Sequence, residues 1–290
     1  MANSIALAKT YLPLLDEVYK ASSKSAILDS ASTQIRFLGG NKAEIFKTSM
    51  AGLGNYSRST GFVAGDVTAT WEELTLTQDR GRSFSIDSMD DEETIGMAFG
   101  TLAGEFLRTQ VVPEVDAYRF ATYASGAALG AEGATPSIDA ITAAEVALGD
   151  AEVPNEGRIL FISESMYGTL KGEVNRVIVN EENGVNRAIE YFDGMQVVTV
   201  PVGRFNTAVT LKDGSTSGQT DGGYTASGKA INFMIVHPSA VWQTIKHESP
   251  RIFAPDVNQS ADAWLFQYRV YHDCGVLENK TNGIYLHKAV

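Results

Sequence analysis

Residues 53–88 constrain this chain more than any other stretch, because they have the pattern of strands yet carry too little apolar surface to stand alone. Residues 68–77 are rich in β-formers, with Leu74 and Leu76 alternating against Thr75 and Thr77. Arg82, Phe84 and Ile86 then alternate against Ser83, Ser85 and Asp87. Gly52, Gly54, Gly61, Gly65 and Gly81, with many Ser and Thr residues, fill the surrounding positions. The pattern predicts a long ribbon with reversals near residues 59–66 and 78–81. An isolated two-stranded hairpin is marginal in water, so the ribbon needs a surface to lean on. We read that surface as another subunit; the alternative is the ribbon's own domain.

A long helix is predicted next. Asp87, Asp90, Asp91, Glu92 and Glu93 sit where a helix N-terminus favours negative charge, with Ser88 as a cap. Ile95, Phe99, Leu102 and Phe106 mark one face, and Gly96, Gly100 and Gly104 recur every four residues on another. Each glycine costs a helix about 1 kcal/mol against alanine, which argues that a second backbone packs closely there. Pro113 is expected to bend or restart the helix, which Val115 to Ala124 then continue. At 1.5 Å per residue, residues 90–124 would span roughly 50 Å. That exceeds the width of a small compact domain and suits a spine in an extended molecule.

Before the ribbon, residues 1–30 read as an amphipathic arm, with Ala6, Tyr11, Leu14, Leu15 and Val18 at helical spacing and a start near Pro13. After the helix, residues 135–236 read as an α/β lobe. Thr135 is the expected N-cap with Pro136 following it; Ile138, Ile141, Val146 and Leu148 fill a helix, and residues 158–162, 195–200 and 231–236 are apolar strands. Residues 206–230 are polar and glycine-rich, an exposed loop or ragged hairpin. Strands return at 263–273 and 283–287.

Composition excludes several classes of function. With 23 basic and 35 acidic residues the net charge is −12, which argues against a dedicated nucleic-acid binder but not against a wall that encloses nucleic acid. No run approaches the roughly 20 apolar residues that a membrane span needs, and the N-terminus lacks the pattern of a secretory signal. Cys274 is the single cysteine, so no intrachain disulfide is possible. Candidate chemistry is thin. The run from Gly223 to Lys229 falls one residue short of a phosphate-binding loop, and Ala230 lacks the hydroxyl that would hold magnesium. Of His237, His247, His272 and His287, only His272 stands near Cys274, and we read the pair as a structural cysteine beside a surface histidine. Glu72-Glu73 and Asp90-Asp91 are not acid/base dyads, since the first pair faces opposite sides of a strand and the second opens a helix.

Three segments carry a family resemblance: residues 71–90 (WEELTLTQDRGRSFSIDSMD), 112–121 (VPEVDAYRFA) and 192–201 (FDGMQVVTVP). They resemble, in order, the ribbon-to-spine junction, the spine and an α/β strand of the major capsid proteins of tailed bacteriophages. The resemblance implies the α+β Hong Kong 97-like fold, shared by encapsulin shells. It divides the chain into an N-arm (1–32), a segment leading into the peripheral domain (33–52), an extended loop (53–88), the spine helix (89–134), an axial domain (135–245) and terminal peripheral strands (246–290). It implies a shell-building virion subunit with no catalytic role and no cofactor, assembled in the host bacterial cytoplasm away from any membrane. Implied partners are further copies of the chain in pentamers and hexamers, a portal protein, and double-stranded DNA enclosed without sequence-specific binding. An arm that begins almost at Met1 implies a separate scaffolding protein. Arg58, Trp71, Arg80, Arg82, Gly96, Gly100 and Gly104 are the expected intersubunit contacts. Some relatives cross-link through a lysine in the extended loop, but no residue from Thr48 to Leu170 is lysine. The alternatives are an encapsulin shell, a tail-tube or sheath protein, and an unrecognised hydrolase.

Overall fold

The computed structural model describes residues 23–32, 36–39, 42–89, 103–133, 137–173, 178–180, 184–186 and 189–290. The expected arm helix, the acidic helix start at Asp90 to Glu93, the row Ile95, Phe99 and Leu102, and Gly96 and Gly100 lie outside these residues, as do Thr135 and Pro136.

The α/β lobe is organised by a strand buried on both faces. In β6 (Ile159–Ser163) all five side chains are buried, which is why this strand reads as an unbroken apolar run rather than an alternation. It pairs in parallel with β10 (Met195–Val200) and antiparallel with β12 (Tyr224–Val236). Beyond β12 lie β15 (Ile284–Lys288) and β5 (Leu129–Glu132); β9 (Tyr191–Phe192) edges β10, β11 (Asn206–Leu211) folds back on β12, and β7 (Ile178–Asn180) pairs only with β8 (Gly184–Asn186) among the described residues. Leu160, Ile162, Phe233 and Ile235 face α2 (Ile138–Asp150) and α3 (Glu164–Glu173), meeting Ile141, Leu148, Met166 and Leu170. Ile159, Phe161, Met234 and Val236 project the other way, onto Phe120 and Tyr123. The cap of α2 is Ser137, whose side chain accepts from the Ala140 amide, two residues after the predicted cap at Thr135.

Phe120 and Tyr123 belong to α1 (Val112–Gly126), which carries Pro113 in its first turn. A π-helical turn, Leu107–Val111, precedes α1, and the Val112 amide donates to the Leu107 carbonyl five residues back. A proline ring crowds the preceding turn and removes one amide donor; widening that turn accommodates it without ending the helix. The first part of the helical run packs Leu107, Val111, Val112 and Val115 on Phe266, Tyr268 and Val270. These belong to a second sheet in the order β13 (Val241–Phe253), β14 (Ala263–Val276), β4 (Gln78–Asp87). One helical run therefore serves two cores.

Two predicted connections are different in the structure. Residues 78–81 do not reverse the ribbon: β4 pairs with β14 along its whole length, Gln78 opposite His272 and Asp87 opposite Ala263. The terminal segment 246–290 also divides, with β14 in the three-stranded sheet and β15 in the seven-stranded one. The ribbon itself is β2 (Lys42–Met50) paired with β3 (Val67–Thr75), with β1 (Arg36–Gly39) on the outer edge of β2. Its first strand thus begins at Lys42, upstream of the predicted start at residue 53.

Candidate assembly surface

The two ends of the ribbon turn opposite faces to their surroundings. At the root, Ala43, Ile45 and Leu74, with the adjoining Leu76, are buried against Trp242, Tyr271 and Leu277. The Trp242 indole lies on Gly275, where a Cβ would come within 2.6 Å of the ring nitrogen. Strand side chains alternate between faces, so Phe46 and Trp71, paired in register, project from the side opposite to Ala43 and Ile45. Their ring centroids are 5.1 Å apart, and Trp71 remains 48% exposed. Met50 and Val67 extend this strip outward. At the tip Tyr56 and Phe62 meet edge to face at 4.9 Å, with Leu53 and Phe62 respectively 108% and 90% exposed. Of the fourteen exposed large hydrophobic residues among those described, eight lie between Phe46 and Trp71. Concentration on one projection, rather than scatter, is what distinguishes an interaction surface from ordinary surface apolarity.

Polar contacts fix the direction in which the ribbon leaves the body. Asp273 is buried and accepts from the Thr77 amide at 2.7 Å, the Thr77 hydroxyl at 2.9 Å and the Tyr118 hydroxyl at 2.8 Å. Burial first, and then the Asp273 carboxylate, push the Tyr118 hydroxyl up to about 12, so it stays protonated and donating. Tyr271 donates to the Leu76 carbonyl at 3.0 Å, and Lys47 pairs with Glu278 at 2.6 Å across the root. Lys42 is likewise paired, with Glu73 at 2.7 Å. The ribbon therefore does carry lysines, both in its first strand and both in ion pairs within the chain.

Arg80 and Arg82 use their donors inside the subunit. Arg80 donates to Glu114 at 2.6 Å and to the carbonyls of Lys212 and Gly223 at 2.7 and 3.3 Å. Both terminal nitrogens of Arg82 lie 3.2 Å from the Thr220 carbonyl. The two side chains tie the tip of the β11–β12 hairpin to β4, leaving a groove of about 800 Å³ between hairpin tip, β4 and the helix. Buried Val111, Tyr268 and Val270, with Phe84 and Phe106, give it an apolar floor; Glu105, Asp213 and Asp221 are exposed at its rim. Asp213 is held down at about 2, first by the Thr216 hydroxyl and then by the Ser215 and Thr216 amides, so the rim keeps its negative charge.

Of the remaining predicted contacts, Arg58 stands exposed at the ribbon tip, and Gly104 has open space where a Cβ would sit. Sequence reasoning missed Phe46 and Met50, because the strand bearing them lies before residue 53. It also missed a buried polar clasp on the N-terminal segment. Asp116, fully buried, accepts from the Ser23 hydroxyl at 2.7 Å, the Lys24 and Ser25 amides at 2.9 and 3.2 Å, the Ser25 hydroxyl at 2.7 Å and Arg204 at 3.3 Å. Arg119 donates to Ser25 at 2.9 Å, and Gln243 to the Ser25 carbonyl at 2.9 Å.

The candidate catalytic groups are built into packing. Gly228 and Lys229 sit at a bulge of β12, not in a loop before a helix; Gly228 has φ +73° and lies against Thr207. Lys229 pairs with Glu132 at 2.9 Å. Cys274 is buried, and burial pushes its thiol up to about 12, far from a thiolate at neutral pH. His272 is not the surface residue expected: it is 2% exposed, and burial, reinforced by Arg119 and Arg80, pushes it down to about 3. Among the described residues no three His, Cys, Asp or Glu side chains are grouped to hold a metal ion, and no helix is long and apolar enough to cross a membrane.

No family model and no curated protein matches the chain by sequence. Solved structures do match. A chain from Mycobacterium phage Che8 superposes with a TM-score of 0.61 at 17% identity, over 86% of this chain and 85% of that one. A chain from the capsid structure of the cyanophage P-SCSP1u gives 0.62 at 13% identity, over 91% and 88%. A chain from the asymmetric unit of the bacteriophage PhiM1 mature capsid gives 0.60 at 13% identity, over 87% and 82%. The chain is thus a strand-rich α+β protein with the fold of phage capsid chains along most of its length.

Proposed function

We propose that this chain is the major capsid protein of a tailed bacteriophage, a shell-building subunit of the virion head with a structural rather than catalytic role. The observation that carries the reading is the shared fold with phage capsid chains over most of both lengths. An apolar projection that no other described residue covers supports it, because a concentrated exposed apolar surface marks a site where another molecule docks. In this reading the ribbon Lys42–Thr75 is the extended loop, and the helical run ending at Gly126 is the spine. The seven-stranded sheet with α2 and α3 is the axial lobe, and the sheet β13-β14-β4 is the peripheral lobe. The clasp on Ser23 to Ser25 is where the N-arm leaves the body. The subunit assembles with itself into pentamers and hexamers, with a separate scaffolding protein and a portal, around double-stranded DNA that it contacts without reading sequence. Trp71, Arg58 and the glycine row at 96, 100 and 104 remain candidate contacts between subunits. Arg80 and Arg82 act by holding the hairpin tip against β4, which shapes the surface a neighbour meets.

Electron microscopy of the expressed chain, alone and with a scaffolding partner, tests the proposal. Closed shells with five- and six-fold clusters are the expected outcome. Tubes or small discrete oligomers only, across a range of salt, would overturn it. Nuclease-protected DNA in native particles separates a phage head from a shell that encloses cargo enzymes.

A further inference from the structure

We propose that the β11–β12 hairpin beyond Thr207 and Gly228 is a lid. It opens as one body from Arg80 and Arg82, without disturbing either core, and so covers or uncovers the apolar floor of the groove. Burial marks where the lid begins. Phe205 and Ile231 are buried in the core under the seven-stranded sheet, and the Ile231 amide donates to the Phe205 carbonyl at 3.0 Å. Between them no side chain of residues 206–230 is buried; even Val209 and Leu211, on the strand that lies along α1, are only half-buried. β12 changes partners at the same place. From Ile231 onward it pairs with β15 and β6, whereas from Tyr224 to Ala230 it pairs with β11. A bulge separates the two halves. The register shifts between Asn206 and Ala208, and Gly228, at φ +73°, has only 2.5 Å between the place of a Cβ and the Thr207 hydroxyl oxygen. Bulges interrupt the ladder and let a strand bend, so the hinge falls there.

The tip is stiff in itself. Asp213 accepts from the Ser215 and Thr216 amides, both at 2.9 Å. The Gln219 amide donates to the Thr216 carbonyl at 2.8 Å, and the Gly222 amide to the Gln219 carbonyl at 2.9 Å. These bonds lie within the tip and survive its movement. What holds it down comes from β4: Arg82 reaches the Thr220 carbonyl, and Arg80 those of Lys212 and Gly223. The turn is shaped to Arg82, since a Cβ on Gly214 or Gly222 would come within 2.9 or 3.3 Å of its Nη1. On the other side the place of a Gly223 Cβ is 3.9 Å from Oε1 of Gln110, so the tip spans from β4 to the helix. Phe84, Phe106 and Tyr268 lie in the groove it spans. Arg82 and Lys212 stand with Asp213 and Asp221 around the mouth, and Arg80 keeps its ion pair with Glu114 whether or not the tip is attached. Opening therefore breaks hydrogen bonds to exposed carbonyls, which water replaces. The lid does not depend on the capsid reading; under that reading, one chain gains two surface states without repacking either core.

Hydrogen–deuterium exchange of the full-length subunit, read by mass spectrometry, tests the lid. Residues 208–227 should exchange together and roughly ten-fold or more faster than residues 231–236, as a unit that opens below the global unfolding limit does. Arg82→Ala should speed the hairpin about ten-fold further, leave residues 231–236 unchanged and raise the fluorescence of anilinonaphthalene sulfonate, an apolar-site dye. Arg82 is exposed, so the substitution leaves both cores intact. In the same background, Gln110→Cys and Lys212→Cys joined by a short bismaleimide should reverse both effects. Lys212→Cys keeps the carbonyl that Arg80 uses, and native Cys274 is buried and stays out of the reaction. If Arg82→Ala speeds residues 208–227 and 231–236 equally, the hairpin opens only with the core and the lid is overturned. A faster hairpin with unchanged dye fluorescence would overturn it too, by showing that the tip does not cover the floor. Neither outcome touches the capsid reading, which electron microscopy decides.

Discussion

Acid should weaken this subunit through one buried histidine at the ribbon root. His272 lies between Gln78 of β4 and Ile245 of β13, edge-on to Tyr118 at 5.7 Å and beside Asp273. Its folded value of about 3 is below the ordinary 6.5, so the unfolded chain binds a proton that the folded chain refuses. The stabilising contribution is therefore complete above pH 6.5 and is lost as the pH falls towards 3. Between pH 7 and pH 5 the unfolded imidazole becomes almost fully protonated while the folded one stays neutral. At 1.36 kcal/mol per pH unit over about 1.5 units, the loss is about 2 kcal/mol. The figure holds for any folded value below about 4, since the folded ring is then neutral throughout the window. Urea unfolding followed by the fluorescence of Trp71, Trp242 and Trp264 measures it at both pH values. His237 and His287 are lowered by burial too, so the comparison is with His272→Gln, which removes only the one titration. The variant should lose about 2 kcal/mol less than the parent on going to pH 5. Equal losses would show that His272 is hydrated and protonated in the folded subunit, and the account of the root would fail.

Deleting residues 58–69 should leave a folded subunit with an unchanged circular dichroism melt but no stable shells, because the root cluster on Trp242 lies outside the deletion; loss of folding would place the ribbon in the subunit's own core. Boiling mature particles in detergent should release one band near the 31.2 kDa chain, with or without reductant. Lys42 and Lys47 are ion-paired within the chain and Cys274 is buried, so surviving pentamer or hexamer bands would refute a noncovalent shell. Gly275→Ala should cost about 1–3 kcal/mol by overpacking, since the new methyl would displace Trp242, and thermal melts should show it; an unchanged melting temperature would mean the indole moves freely.

The parts of the fold legible in the sequence are those where one local rule governs. β6 reads plainly because all its side chains are apolar and buried, and the spacing of Phe84 and Ile86 gives the inward face of β4 correctly. The first ribbon strand was hidden by a change of face: Ala43 and Ile45 point into the root while Phe46 and Met50 serve the opposite side, so neither alternation nor a helical period survives. His272 could have been read as buried, since it keeps step along β14 with Phe266, Tyr268, Val270 and Cys274. The groove had no local signal. It arises where a hairpin tip 132 to 138 residues downstream closes on Arg80 and Arg82, and no pattern within either segment encodes that meeting.

The helical run that packs under both sheets has a mechanical consequence. With Leu107 and Val115 buried in one core and Phe120 and Tyr123 in the other, the two lobes share a single rigid axle, and neither can swivel without unpacking its half of it. Under the capsid proposal, which places the subunit in both five-fold and six-fold surroundings, its body has little compliance. Adjustment would fall to the ribbon root and the hairpin tip, which are held by individual hydrogen bonds and ion pairs that can be exchanged one at a time.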